Sequence, residues 1–329
     1  MKNVPVQPWV IPLVCLLVVG SLLGLSTSLA ALAYREGISA TALLAWSLSG
    51  AGVVLGLSAV RRHQGVGRGA KSIRYLVIAA AVSLVIPNLV LFAAVPQVGA
   101  AFVAVAIASP PLWTYLGALG LRLERLQFLR AAGVSVALAG SVLLAVLQLN
   151  EPDVDVGWVV ATLAAPVLLA VGNLYRSIDW PDGATPAGLA AGMVITSALG
   201  LAVIGALVPG LSLAVPANGP SISIVIAQAA VFTGLYRLFF VLQDRGGPVY
   251  LSLVGSVAAV VGAGVAVWLL GEAAPPGLLP GGALVLAGVA LLTAGAARSP
   301  TTEAPARPPA ASRSTGQPAD NPSPERSQA

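Results

Sequence analysis

The residues able to do chemistry in this sequence are those that set a hydrogen-bonding or charged group inside a long apolar run. Each such group is costly in hydrocarbon, so it turns toward a bundle interior or a water-filled cavity. Thr27, flanked by Ser26 and Ser28, is one, and Asn88, behind Pro87, and Asn173 are others. Ser109, Tyr115, Tyr250 and Ser256 extend the neutral set, and the Tyr236-Arg237 pair is where an ionisable cation is clearly embedded. Hydroxyls and amides of this kind hold a solute by hydrogen bonding, while Arg237 offers a guanidinium fork to a carboxylate or phosphate. Each has a plain structural alternative. Ser and Thr bond carbonyls of their own helix, small hydroxyls let helices approach, and an arginine this close to Gln243 can snorkel to water.

A reacting site is harder to assemble. A lipid-modifying transferase or other intramembrane enzyme needs a nucleophile with a base, or gathered metal ligands, at one depth. The chain has one cysteine, Cys15, inside an apolar run, and one histidine, His63, in a basic loop. No metal site, cofactor or catalytic set is expected from them. Asp and Glu are missing from the interior of every apolar run, so a buried carboxylate relay for protons is not visible, and no Walker-type phosphate loop occurs. The pattern favours exchange or facilitated diffusion of a small solute, with Glu124, Glu272 or a group of the solute left as routes for a proton. A passive channel or scaffold is the competing class, disfavoured by the repeat described below and by the missing ring of like charges or filter signature.

Composition says what holds these residues. Hydrophobic residues make up 57% of the 329 and charged residues 9%, with a mean hydropathy of +0.91, so the surface of a soluble domain this size could not be covered with polar groups. Ten runs are long enough to cross hydrocarbon, and in lipid they must be helices. They cover residues 9–34, 41–60, 75–94, 98–120 and 131–148, then 157–175, 186–208, 222–242, 247–271 and 276–297. The chain is expected to reverse at Val95-Pro96-Gln97 and at the matching polar stretch 243–246. Residues 298–329 are rich in Pro, Ser and Thr and read as a disordered tail. The first run is longer than the h-region of a signal peptide, so Ala31-Leu32-Ala33 is read as helix and not as a cleavage site.

The chain repeats itself. Shifted by 148 residues, segment 92–144 overlies 240–292, and Gly99 meets Gly247, Glu124 meets Glu272, Gly133 meets Gly281 and Gly140 meets Gly288. Residues 1–148 and 157–297 are therefore two five-helix halves, and an odd number of crossings inverts the second relative to the first. The net charge of +5 comes from cations in short loops, at 61–74 and 122–130 and at Arg176 and Arg245, against the acidic stretch 151–155. Read by the positive-inside rule, both termini are cytoplasmic in a multi-pass protein of the cell (inner) membrane, whose partners are lipid and a small solute and not nucleic acid. Trp9, Trp158, Trp180 and Trp268 fall near span ends and read as interfacial anchors, while Trp46 and Trp113 read as packing residues.

These two segments, each with a glutamate closing one run and a paired glycine spacing in the next, resemble the EamA repeats of the drug/metabolite transporter superfamily. The resemblance covers about residues 9–297 and is strongest at Glu124, Glu272 and the glycine-bearing runs. It implies a basket of ten helices around a central cavity lined by the first, third, fourth, sixth, eighth and ninth. It also implies alternating access for small metabolites, amino acids or related compounds among them, by an exporter or exchanger. The position of Arg237 resembles a recurring basic residue at that cavity. Glu124, Glu272, Pro110 and Pro111 become the structural or gating candidates. In one respect the chain departs from the pattern: Pro110 and Pro111 answer Ala258 and Ala259, so a kink is expected in the first half only.

Overall fold

The computed structural model describes residues 10–122, 125–149, 154–208, 211–245 and 247–298. All regular structure among them is helical. In chain order the helices are α1 (Val10–Arg35), α2 (Ala40–Arg61), α3 (Ala70–Ala80), α4 (Ile86–Val98), α5 (Ala100–Ala106), α6 (Pro110–Gly120), α7 (Phe128–Leu149), α8 (Val156–Ile178), α9 (Pro186–Leu207), α10 (Gly219–Arg245), α11 (Gly247–Gly264) and α12 (Leu278–Arg298). A π-helical turn over Ala81–Val85 joins α3 to α4, and another over Val265–Leu269 extends α11. Nine stretches among the described residues are long and apolar enough to cross a membrane, with a shorter apolar helix at Val254–Leu269. This is the build of a multi-pass helical membrane protein. Glu124, the acidic residues 151–153 and the tail beyond Arg298 lie outside the described residues.

Helix starts that meet the water layer are closed by side chains, since the first turn leaves backbone N–H groups without partners. Ser39 Oγ accepts from Ala42 N, Asp155 Oδ1 from Gly157 N, Thr185 Oγ1 from Gly188 N and Asn218 Oδ1 from Ser221 N.

Two boundaries differ from the sequence reading. The helix runs through Val95-Pro96-Gln97, because the φ that proline fixes is helical and only one backbone bond is forfeited so near the end. Reversal falls instead at Gly99, whose φ of 83° is a left-handed conformation that glycine adopts without strain. The run expected over 98–120 is two helices, α5 and α6, parted at Ile107-Ala108-Ser109 ahead of Pro110 and Pro111. Two consecutive prolines remove two donors, and the Ser109 backbone N–H and hydroxyl both turn to the Ala106 carbonyl, at 3.1 and 2.8 Å. Ala258 and Ala259 remove nothing, and α11 continues unbroken past them.

Packing follows the small residues. Helices α7 and α12 lie antiparallel with backbones in contact. A Cβ added at Gly133 would fall 2.6 Å from Leu292 N, one at Gly140 2.7 Å from the Gly281 carbonyl, and one at Gly288 2.5 Å from Ala137 N. Helix α1 meets α11 the same way, where a Cβ at Gly24 would sit 2.6 Å from the Ala258 carbonyl. Such seams need glycine, because association in lipid depends on close contact and not on excluding water. Helix α2 packs against α9 and α10, and α4 and α6 pack against α8.

Candidate functional site

Helix α8 carries its apolar signal to Tyr175, but the helix itself runs on to Ile178. Its last turn therefore swings Arg176 into the bundle, where it is 7% exposed. The guanidinium Nε donates to the Gly172 carbonyl at 3.4 Å and Nη2 donates to Asn173 Oδ1. Its central carbon lies 5.4 Å from the centroid of the Phe239 ring on α10. The Tyr75 and Tyr236 phenols are close enough to feel its charge. Among the described residues no carboxylate pairs with it.

Aromatic side chains wall this cation. On one side Tyr75 of α3 stacks on Tyr175 at 5.7 Å and meets Trp180 edge-on at 6.5 Å. On the other, Tyr236 packs against Phe232 at 5.8 Å, and Phe232 stacks on Phe92 at 6.4 Å. Among the described residues the buried Tyr75 hydroxyl has no hydrogen-bond partner. Asp179, which follows α8, is engaged elsewhere: it accepts from the Tyr175 hydroxyl at 2.9 Å and from Arg74 Nη2 at 3.1 and 3.3 Å. That hydroxyl first, and Arg74 after it, hold the Asp179 carboxyl below the usual carboxylate range. A cation, two phenols and an amide on aromatic walls can hold a carboxylate or phosphate by charge-assisted hydrogen bonds.

A second polar centre lies further along α10. Gln228 is fully buried, and its Nε2 donates to Ser26 Oγ of α1. Gln228 Oε1 and the neighbouring Ser28 Oγ have no partner.

The residues singled out from the sequence divide accordingly. Asn173 bonds Arg176, and Tyr236 lies within electrostatic reach of it. Thr27 bonds the Gly24 carbonyl at 2.8 Å, Asn88 the Leu84 carbonyl at 2.7 Å and Ser109 the Ala106 carbonyl, each within its own helix or turn. The Tyr115 hydroxyl accepts from Gln127 N, and Arg130 lies over its ring. Ser256 has a buried hydroxyl without a partner. Pro110 and Pro111 open α6. Glu272 is a cap: its Oε2 accepts from Ala100 N at 2.9 Å and Ala101 N at 3.4 Å, closing the start of α5 from the far end of the sequence. Glu124 and the side chain of Tyr250 lie outside the described residues.

Arg237 is exposed and faces a cleft shared with Arg62 and Gln64, on a different side of α10 from Tyr236. Trp46 is corrected from a packing residue to a surface anchor: it is 54% exposed, and its indole N–H donates to the Leu213 carbonyl at 2.9 Å. Arg176, Tyr75 and Gln228 were not singled out from the sequence. A signal for the first existed, since Asn173 and Arg176 are three apart and share a helix face. Gln228 likewise precedes Phe232 and Tyr236 at four-residue intervals.

No family model matches the chain, and no curated protein matches it. Among solved structures it is similar to a protein crystal structure with a TM-score of 0.61 and 21% sequence identity, covering 89% of this chain and 98% of that one. The likeness concerns the fold alone.

Proposed function

We propose that this chain is a carrier that moves small anionic or zwitterionic metabolites across the cell membrane by alternating access, as an EamA-like member of the drug/metabolite transporter superfamily. The observation that carries the reading is Arg176. A charge buried in a membrane bundle without a counter-ion is costly, and such residues mark substrate pathways. Its setting, with Tyr75, Tyr236 and Asn173 around it and Phe239 under it, matches the chemistry of a solute carboxylate or phosphate.

The inverted-repeat reading is supported by the α7–α12 seam. Gly133 approaches Gly288 and Gly140 approaches Gly281, two contacts that exchange under the 148-residue shift. Under this reading α3 with α4, α5 with α6, and α11 with its π turn are the third, fourth and ninth of ten crossings. The cation-bearing end, with Arg61, Arg62, Arg68 and Arg74, faces the cytoplasm along with both termini.

Reconstitution into liposomes tests the proposal. With a panel of labelled amino acids, carboxylates and phosphate esters, uptake should saturate and should accelerate when the same solute is preloaded inside. Non-saturating flux without counterflow would replace the carrier by a channel, and no flux of any solute would leave a scaffold.

A further inference from the structure

Arg237, open from the sequence to either a substrate-facing or a snorkelling role, lies in surroundings with a chemistry of their own. Between α2, α9 and α10 lies a cleft of about 290 Å³, floored by Leu55, Ala59, Ala190 and Phe240. Arg62, Arg237, Gln64 and Ser58 form its polar part, with Pro186 and Ala187, the first turn of α9, closing one side. Among the described residues no acidic side chain lines it. Both arginines are exposed, and among the described residues neither makes an ion pair. Two guanidiniums with no ion pair among the described residues, beside the positive end of a 22-residue helix, make an anion site.

We propose that this cleft binds the phosphate headgroup of an anionic lipid. Phosphate fits because each guanidinium can offer two parallel N–H donors to its oxygens. A lipid, in preference to a free anion, fits because the cleft does not end at the arginines. It continues through Ser58 and Arg62 into a shallow hollow with Val54, Leu57 and Arg61. Val54 and Leu57 are exposed apolar side chains on a membrane-crossing helix, the surface an acyl chain covers. Basic pockets between helices near the membrane surface take lipid headgroups on the same physical grounds. The site requires that the chain lie in a membrane; it does not require the transport reading, and it uses none of the residues around Arg176.

Thermal-shift and native mass spectrometry titrations on the full chain in detergent test the site, with phosphatidylglycerol, phosphatidylcholine and inorganic phosphate as separate probes. Phosphatidylglycerol should bind and raise the melting temperature, more weakly at high salt, while phosphatidylcholine and inorganic phosphate should give little shift. Arg62→Gln and Arg237→Gln should each weaken phosphatidylglycerol binding roughly fivefold, and the double change about 25-fold, as for one surface cation and two. Arg68→Gln, a cation of the same basic segment that does not line the cleft, should leave binding unchanged. Equal binding of both lipids, or wild-type affinity in both single variants, would overturn the proposal. A shift from inorganic phosphate as large as that from phosphatidylglycerol, and lost in the double variant, would assign the cleft to a soluble phosphate and overturn the lipid.

Discussion

Two meeting places of helices in this protein are built in opposite ways. Along α7 and α12 the contact consists of backbone on backbone, and Gly133, Gly140, Gly281 and Gly288 act by having no side chain. Where α3, α8 and α10 converge, the contact consists of large side chains, with Arg176 set among Tyr75, Tyr236 and Phe239. The first is a dry seam with no tolerance for volume. The second buries a charge that no carboxylate among the described residues neutralises. A seam of the first kind holds a membrane fold together, whereas the second kind keeps a binding group available at a cost in stability. Under the proposed function, the difference separates the residues that maintain the bundle from those that give it a task.

The sharpest way to break the comparison is to add bulk to the seam. Gly288→Leu places atoms where Ala137 N already stands 2.5 Å from a Cβ, and Gly140→Leu meets the Gly281 carbonyl at 2.7 Å. Each variant should lose most of its folded yield, since overpacking costs about 1–3 kcal/mol even where side chains can yield and backbone cannot. Size-exclusion profiles and melting temperatures at wild-type values would refute the seam.

A smaller effect is expected at the cap that ties the two halves of the sequence together. Glu272→Gln keeps the shape but removes the charge from the two N–H groups of α5. A destabilisation of about 0.3–1 kcal/mol, the range of a charge at a helix N-terminus, should appear as a lower melting temperature with solute specificity intact. Altered specificity with unchanged stability would move Glu272 from the frame to the site.

The smallest effect belongs to Asp179. Its carboxyl is held below the usual carboxylate range in the folded protein, so its contribution is present above the unfolded value of about 3.9 and is lost as pH falls through the folded one. Melting temperature should therefore drop slightly as pH falls below about 4, and Asp179→Asn should flatten that drop. An identical acid profile in the variant would show that the Tyr175 and Arg74 contacts carry no stability, as exposed ion pairs often do not.

Much of the frame could be read from the sequence, because hydrocarbon dictates both length and helix. The glycines of the seam were visible in the repeat, although nothing in their spacing says that α7 and α12 meet each other. The misplaced reversal at Val95-Pro96-Gln97 has a plain cause: composition marks proline and polar residues as a turn, but a helix near its end accommodates both and breaks where φ becomes positive, at Gly99. Trp46 was misplaced because depth along a run does not say which face of the helix meets a neighbour. Arg176 was missed for the converse reason. It stands just past the apolar run and was counted with the loop cations, yet α8 continues through it and turns it inward. Arg237, embedded in its run, faces outward to the cleft with Arg62. Hydropathy orders residues by depth and is silent on direction, and on that point the two arginines differ: Arg176 turns inward and Arg237 outward.

The most direct test compares these two arginines in one transport assay. Wild type, Arg176→Gln, Arg176→Lys and Arg237→Gln would be reconstituted into phosphatidylcholine liposomes, which lack anionic lipid, and assayed with one anionic solute that the wild type carries. Arg176→Gln removes a buried charge that has no ion pair among the described residues and should fold, yet lose at least about tenfold in transport efficiency, the loss of hydrogen bonds to a charged group. Arg176→Lys should recover part of it, since charge returns without the fork, and Arg237→Gln should transport as wild type. Wild-type rate and affinity in Arg176→Gln, with transport lost in Arg237→Gln, would contradict the account and return the substrate to the cleft.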